Sequence, residues 1–173
     1  MSATYPHPSS FHSITLDPSH PGTPMRIALV LEAALNVIAA SFMTLSPSTI
    51  LSFLATPSPP TLDTPLSETV IQIIAGIFMS IAVPLLLAVP NTRQGIELRA
   101  PVYIFLSATE VCLITGLAYI ALWRGEEETG VRSRALWGMV SNLLPPLIFR
   151  LFVLVVKPHW LGRYRDGVEK KIN

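Results

Sequence analysis

The amino-acid sequence predicts an all-α, polytopic integral membrane protein built as a four-helix transmembrane bundle. Only 13% of its 173 residues are charged and 50% are apolar, whereas an ordinary soluble domain has about 25% charged residues. The apolar residues are also gathered into four stretches, each close to the roughly 20 residues of helix that cross a bilayer core of about 30 Å. Polar and proline-rich segments separate these stretches, which is typical of a multi-pass membrane protein.

The domain organisation follows from the positions of these stretches. Residues 1–24 are rich in Pro, Ser and His and lack apolar periodicity, so we predict a disordered N-terminal tail. The transmembrane domain then covers residues 25–156, and residues 157–173 form a basic cytoplasmic tail. The four predicted spans lie at about residues 25–45, 68–89, 100–123 and 135–156.

Proline positions predict the helix starts and the irregular turns. Ser46 before Pro47, and Thr64 before Pro65, each have the residue types of an N-cap followed by the first helical position. The first pair opens an apolar segment that is too short to cross, and we expect it to lie along the membrane interface. Pro84 predicts a kink in the second span, since proline removes one backbone hydrogen bond.

The loop charges predict the orientation. The end of the bundle that contains both termini has eight Lys and Arg residues, and the opposite end has three. The eight are Arg26, Arg93, Arg99, Lys157, Arg163, Arg165, Lys170 and Lys171, and the three are Arg124, Arg132 and Arg134. Because cytoplasmic loops carry the excess of positive charge, we expect both termini in the cytoplasm. The endoplasmic reticulum is the favoured membrane.

Four polar residues within the spans are candidates for a site, because ionisable and amide groups are costly at membrane depth. At about 1.5 Å per residue from the cytoplasmic ends, Glu32 and Arg150 share one layer, and Asn36 and Glu110 share the next. We therefore predict a structural ion pair between Glu32 and Arg150. With Arg150 matched to Glu32, Glu110 lies about 6 Å away in depth from the cation, and we expect it to be protonated at neutral pH.

Small residues on the third span suggest where its neighbours pack. Ala108, Cys112 and Gly116 repeat every four residues, a spacing that lets another helix backbone approach closely. Glu110 lies about 160° round the helix from Cys112, so it faces a different neighbour or a cavity.

Several chemistries are excluded by composition and motif. A net charge of +1 offers no field for nucleic acid, and a single cysteine excludes an internal disulfide. The four histidines lie outside the spans without metal-ligand spacing, and no phosphate-binding glycine loop or hydrolase motif occurs. We therefore predict no cofactor and no metal.

The first helix and the segment after it also carry a family resemblance. The residues that carry it are Glu32, Leu35 and Asn36, followed by Pro47, Leu51 and Leu54. With the four short-looped spans, this pattern resembles DoxX-like and similar small four-helix membrane proteins, most of all uncharacterised fungal-type members, over about residues 25–156. The resemblance implies a four-helix fold and no defined activity.

Three functions stay open on the sequence alone. The first is an accessory or structural membrane component whose polar residues order the bundle. The second is a membrane-embedded acid–base isomerase or cyclase acting on a lipophilic small molecule, terpenoid or sterol-like, with Glu110 as acid and Glu32 or Asn36 assisting. The third is a transporter subunit. The expected partners are the lipid bilayer, a lipophilic ligand and a homo- or hetero-oligomer.

Overall fold

The computed structural model describes residues 15–16, 22–56 and 64–165, and within them the fold is helical. Its helices are α1 (Thr23–Leu45), α2 (Pro47–Leu54), α3 (Pro65–Leu87), α4 (Arg93–Tyr119), α5 (Gly125–Thr129) and α6 (Ser133–Val155). A π-helical turn, Ile120–Arg124, continues α4 into α5, and a 3₁₀ turn, Pro158–Leu161, follows α6. The only strands in the described part are β1 (Thr15–Leu16) and β2 (Tyr164–Arg165), which pair antiparallel.

Four of these helices, α1, α3, α4 and α6, are long and apolar enough to cross a membrane. In each, only 17–22% of the most apolar window is buried inside the protein, so most of the apolar surface points outward. Leu35, Ile38, Phe105 and Ile148, for example, are all more than half exposed. A soluble helix directs its apolar stripe to the core and its polar face to water, and these helices do the opposite.

The helices associate as two antiparallel pairs, α1 with α3 and α4 with α6. The main apolar core joins both pairs at one end of the bundle, where α1 and α4 begin and α3 and α6 end. Met25, Leu29, Leu85, Tyr103 and Val153 are fully buried there. The polar residues discussed below adjoin this core.

The helix bounds agree with the predicted spans except at the third. There α4 begins at Arg93, earlier than the predicted residue 100, because the hydroxyl of Thr92 accepts a 3.1 Å hydrogen bond from Gly95 N and caps a polar first turn. Hydropathy locates the apolar part of a helix and misses a polar first turn. At the other end, the segment expected to be a polar loop contains α5.

Both predicted pairs open a helix. Thr64 accepts a hydrogen bond from Ser67 N at 3.2 Å and opens α3 with Pro65 in the first turn. Ser46 is the N-cap residue of α2, which begins at Pro47, but its side chain makes no capping hydrogen bond; its backbone N–H donates to the carbonyl of Phe42 at the end of α1. Pro84 lies in the last turn of α3, where the helix is about to end.

The predicted tails lie largely outside the described residues. Residues 1–14, 17–21 and 166–173 are not described, nor are residues 57–63 of the loop before α3. Within the described part, α1 begins at Thr23, and the pairing of β1 with β2 brings the segment before α1 to the segment after α6.

Candidate functional site

One face of α4 carries a buried polar stripe. Arg99, Tyr103, Ser107 and Glu110 follow one another at spacings of three or four residues, which places them on one side of the helix. All four are buried, while Phe105 and Val111 on the other side are exposed. This face points into the bundle, so the polar groups are held among the other helices.

Arg150 of α6 lies at the centre of the site and contacts carboxylates from two different helices. Its Nη2 is 3.0 Å from Glu32 Oε2 on α1, and its Nη1 forms a close ion pair with Glu110 Oε2 on α4. The side chain of Arg150 is only 5% exposed, and those of Glu110 and Glu32 are 10% and 14% exposed. We call Glu32, Glu110 and Arg150 the carboxylate–arginine triad.

The triad places Glu110 differently from the expectation. Depth along the helices predicts that Arg150 pairs with Glu32 alone and that Glu110 lies in a separate layer, and this prediction is wrong because Arg150 contacts both carboxylates. The depth is a distance between Cα positions, and two long side chains cover the offset of about 6 Å. Glu110 therefore does not face an apolar cavity without a cation.

The charge of the triad is unbalanced when both carboxylates are ionised. Two negative groups then face one guanidinium, leaving one net negative charge in a largely dehydrated setting, which is costly. One proton shared by the two carboxyls makes the triad neutral. Such a proton belongs to the pair and not to Glu110 alone.

Tyr103 and Ser107 extend the site along α4. The Arg150 guanidinium lies over the Tyr103 ring at 5.7 Å from its centroid, within the range of a cation–π contact. The hydroxyls of Tyr103 and Ser107 are buried, and neither has a hydrogen-bond partner among the described residues. Buried hydroxyls usually have a partner, so these two are available to a water molecule or a polar group of a ligand.

The two asparagines within the spans do not join the triad. Asn36 Nδ2 donates a 2.8 Å hydrogen bond to the carbonyl of Glu32, so its amide is engaged within its own helix. Asn142 is exposed on α6, far along the helix from Arg150. The role of Asn36 as a helper in catalysis therefore stays a prediction.

A second polar cluster, which the sequence reasoning missed, surrounds Arg99. Its side chain is fully buried and donates to the carbonyls of Ala88 and Val89, at 3.0 and 3.1 Å, to Asn91 Oδ1 at 2.8 Å and to Leu161 O at 2.7 Å. Arg99 therefore joins the turn between α3 and α4 to the segment after α6. Its position at the edge of a polar turn predicts a loop charge instead.

Two glycines allow the Arg99 side chain to pass between the chain segments. Gly22 and Gly162 both have positive φ, and a Cβ added to either would lie 2.5 or 2.7 Å from Arg99 Nη1. Arg26 of α1 reinforces the cluster, since its Nε donates to Val89 O at 3.1 Å. This cluster closes the end of the bundle next to the apolar core.

The small residues on α4 do not pack against another helix in the part of the chain that the structure describes. Ala108, Cys112 and Gly116 are exposed, and a Cβ added to Gly116 would meet nothing within 4 Å. The expectation that they bring a neighbouring helix close is therefore wrong within the chain. The buried face of α4 is the opposite one, which carries Glu110.

Comparisons with protein-family models, with curated proteins and with solved structures find no match to this chain. The resemblance to DoxX-like proteins accordingly stays a prediction.

Proposed function

We propose that the chain is a multi-pass membrane protein in which α1, α3, α4 and α6 cross the bilayer, and that it acts as an accessory or structural component. The outward-facing apolar surface of these four helices supports membrane insertion. In hydrocarbon, helix association depends on packing and on interhelical polar contacts, because apolar surface gains nothing by leaving lipid.

The contact of Arg150 with carboxylates on two helices is the observation that carries this proposal. It links α6 to α1 and to α4, and so joins the two helix pairs. A charged group at membrane depth is costly unless it is paired. A bundle with another helix order would leave Arg150 or its carboxylates without a partner of opposite charge. The triad thus specifies one arrangement of the four helices.

Both termini are proposed to lie in the cytoplasm. Since Arg99 is buried and bonded to backbone carbonyls, it no longer counts as a loop charge. Seven Lys and Arg residues still lie at the proposed cytoplasmic end against three at the opposite end, so the bias is kept.

A second candidate function is acid–base catalysis on a lipophilic substrate. The hydroxyls of Tyr103 and Ser107, which lie on the same face as Glu110 and have no hydrogen-bond partner in the described ranges, favour it. A proton held by the two carboxyls would be the acid, and the hydroxyls would orient a polar group of the substrate. Neither a substrate nor a reaction type follows from these residues alone.

One variant separates the two functions. Glu110→Gln keeps the side-chain shape and leaves Glu32 to balance Arg150, so an accessory role predicts near-normal folding and near-normal complementation of cells that lack the protein. A catalytic role predicts a folded protein without activity, seen as a changed profile of lipid-soluble metabolites. A Glu110→Gln variant that folds normally but fails to complement would contradict the accessory role as proposed.

A further inference from the structure

A cavity of about 540 Å³ lies between α2 and the first half of α6, at the end of the bundle opposite to the Arg99 cluster. Phe53 and Leu54 line it from α2, and Gly138 and Met139 line it from α6. A Cβ added to Gly138 would meet nothing within 4 Å, so the groove is open along this face of the helix. Asn142, one turn further along α6, adds a polar amide to this otherwise apolar wall.

Backbone hydrogen bonds fix the two walls relative to each other. The N–H of Arg132 donates to Leu54 O at 2.8 Å, and Thr56 N donates to Gly130 O at 3.0 Å. Ala55 and Val131 form an antiparallel bridge between these two bonds. The end of α2 is thus attached to the segment that enters α6, and the cavity is a built feature of the fold.

Two arginines, Arg132 and Arg134, line the mouth of this cavity. The Arg132 Nε is buried and has no hydrogen-bond partner in the part of the chain that the structure describes. Glu126, Glu127 and Glu128 lie in the segment before α6, where Glu128 pairs with Arg124 and Glu126 accepts a 2.7 Å hydrogen bond from Ser133 N. Among the described residues that line the cavity, none is acidic, so the lining itself carries two positive charges beside apolar side chains.

We propose that this cavity is a binding site for an anionic phospholipid of the surrounding membrane. The headgroup phosphate would lie against Arg132 and Arg134, and one acyl chain would lie in the groove between Phe53 and Gly138. A guanidinium binds phosphate through paired N–H donors, and a buried unpartnered donor gains most from such a ligand. The mouth lies where α2 ends and α6 begins, which is the level of the headgroups if the helices cross the bilayer.

This inference shares one premise with the proposed function, membrane insertion, and is independent of the triad. If the protein is extracted from membranes by alkaline carbonate, that premise fails and both proposals fail with it. If the protein resists extraction but binds no lipid selectively, only the lipid site is wrong.

Native mass spectrometry of the full chain, purified in detergent, tests the site with two probes, phosphatidylglycerol and phosphatidylcholine with identical acyl chains. The wild type should retain phosphatidylglycerol preferentially. Because each surface arginine contributes about a fivefold preference for anionic lipid, the double variant Arg132→Gln with Arg134→Gln should lower that preference by about 30-fold. Arg124→Gln, which removes one positive charge at the same end, is the control for Arg132→Gln and Arg134→Gln made singly, and should leave the preference unchanged.

Filling the groove tests the acyl chain separately. Gly138→Leu adds a side chain to the open wall without changing charge, and should weaken retention of both phospholipids. Gly76→Leu, on α3 where an added Cβ also meets nothing within 4 Å, is its control. Equal retention of the two lipids by the wild type, equal effects of Arg124→Gln and the double variant, or no effect of Gly138→Leu would each overturn the proposed site.

Discussion

Arg150 and Glu32 are 118 residues apart in the chain, yet Arg150 Nη2 donates a 3.0 Å hydrogen bond to Glu32 Oε2. Glu110 contacts the same guanidinium from a third helix. Two buried carboxylates therefore share one guanidinium. Changing Arg150 removes the partner of both carboxylates, whereas changing either glutamate leaves Arg150 with the other one.

Arg150→Met should be the most damaging of the single changes in the triad. It leaves two carboxyls without a cation, and breaking a buried pair in this way costs about 3–5 kcal/mol. Glu32→Gln and Glu110→Gln should each cost about 1.5–3 kcal/mol, since Arg150 keeps one carboxylate. Reversible unfolding in detergent measures the three values.

Combined changes report whether the contacts are direct. Arg150→Met with both glutamates changed to Gln should recover part of the loss of Arg150→Met alone, because no uncompensated charge remains. Strictly additive free energies would show that the residues do not interact. A value for Arg150→Met no larger than that for Glu32→Gln would contradict the central position of the arginine.

Infrared spectroscopy of the reconstituted protein should detect the shared proton. If one proton neutralises the triad, the wild type shows a band of a protonated carboxyl at neutral pH. Both Glu32→Gln and Glu110→Gln should abolish it, because the remaining carboxylate then balances Arg150 one to one. Arg150→Met should instead strengthen it, since both carboxyls are left without a cation.

The two single variants also distinguish a shared proton from a local one. A band that disappears in Glu110→Gln but persists unchanged in Glu32→Gln would assign the proton to Glu110, as the sequence reasoning expected. A wild type without the band would show that the triad carries a net negative charge, and the charge argument would be wrong.

The Arg99 cluster should contribute as much to stability as the triad. Arg99→Gln removes the donors of the Ala88 and Leu161 carbonyls, and each buried group left unsatisfied costs about 1–3 kcal/mol. We expect a loss of about 3 kcal/mol in the free energy of unfolding. Arg93→Gln, at an exposed pair with Glu97, should change it by less than about 1 kcal/mol. Similar losses for the two variants would contradict the assigned role of Arg99.

Gly162→Ala tests the same cluster from the opposite side. Gly162 has φ of 91°, and the added Cβ would lie 2.7 Å from Arg99 Nη1, so strain and displacement of the guanidinium both oppose it. The midpoint of thermal unfolding should fall. Gly116→Ala, in an exposed helical position with open space around it, should leave the midpoint unchanged or raise it slightly.

Hydropathy and depth predict the coarse part of this structure well. The four long helices follow from the four apolar stretches, which are long enough for a membrane-crossing helix. Counting residues from the helix ends also indicates that Glu32 and Arg150 lie at one level, and the structure places them in contact. The same residue count places Glu110 at a different depth from Glu32 and Arg150, because it does not include the length of the side chains.

The residues that were missed are those whose role depends on the fold. Tyr103 and Ser107 are unremarkable in an apolar helix, and only the repeat from Arg99 to Glu110 at three- and four-residue spacing marks them as one polar face. The Leu161 carbonyl that accepts from Arg99 lies 62 residues further along the chain. No local pattern in the sequence indicates that contact, and the sequence therefore predicts an ordinary loop charge at Arg99.

The orientation is tested by cysteine labelling in cells, on a background in which the exposed Cys112 is changed to Ala. A cysteine at the exposed position Glu127 should react with a membrane-impermeant maleimide once the non-cytoplasmic side is open to it. A cysteine at exposed Gln94, in the first turn of α4, should need access from the cytoplasm. The two positions lie at opposite ends of α4 and its continuation, so they should never react from the same side. The reverse pattern would show that the termini lie outside the cytoplasm, and reaction of both from one side would show that α4 does not cross the membrane.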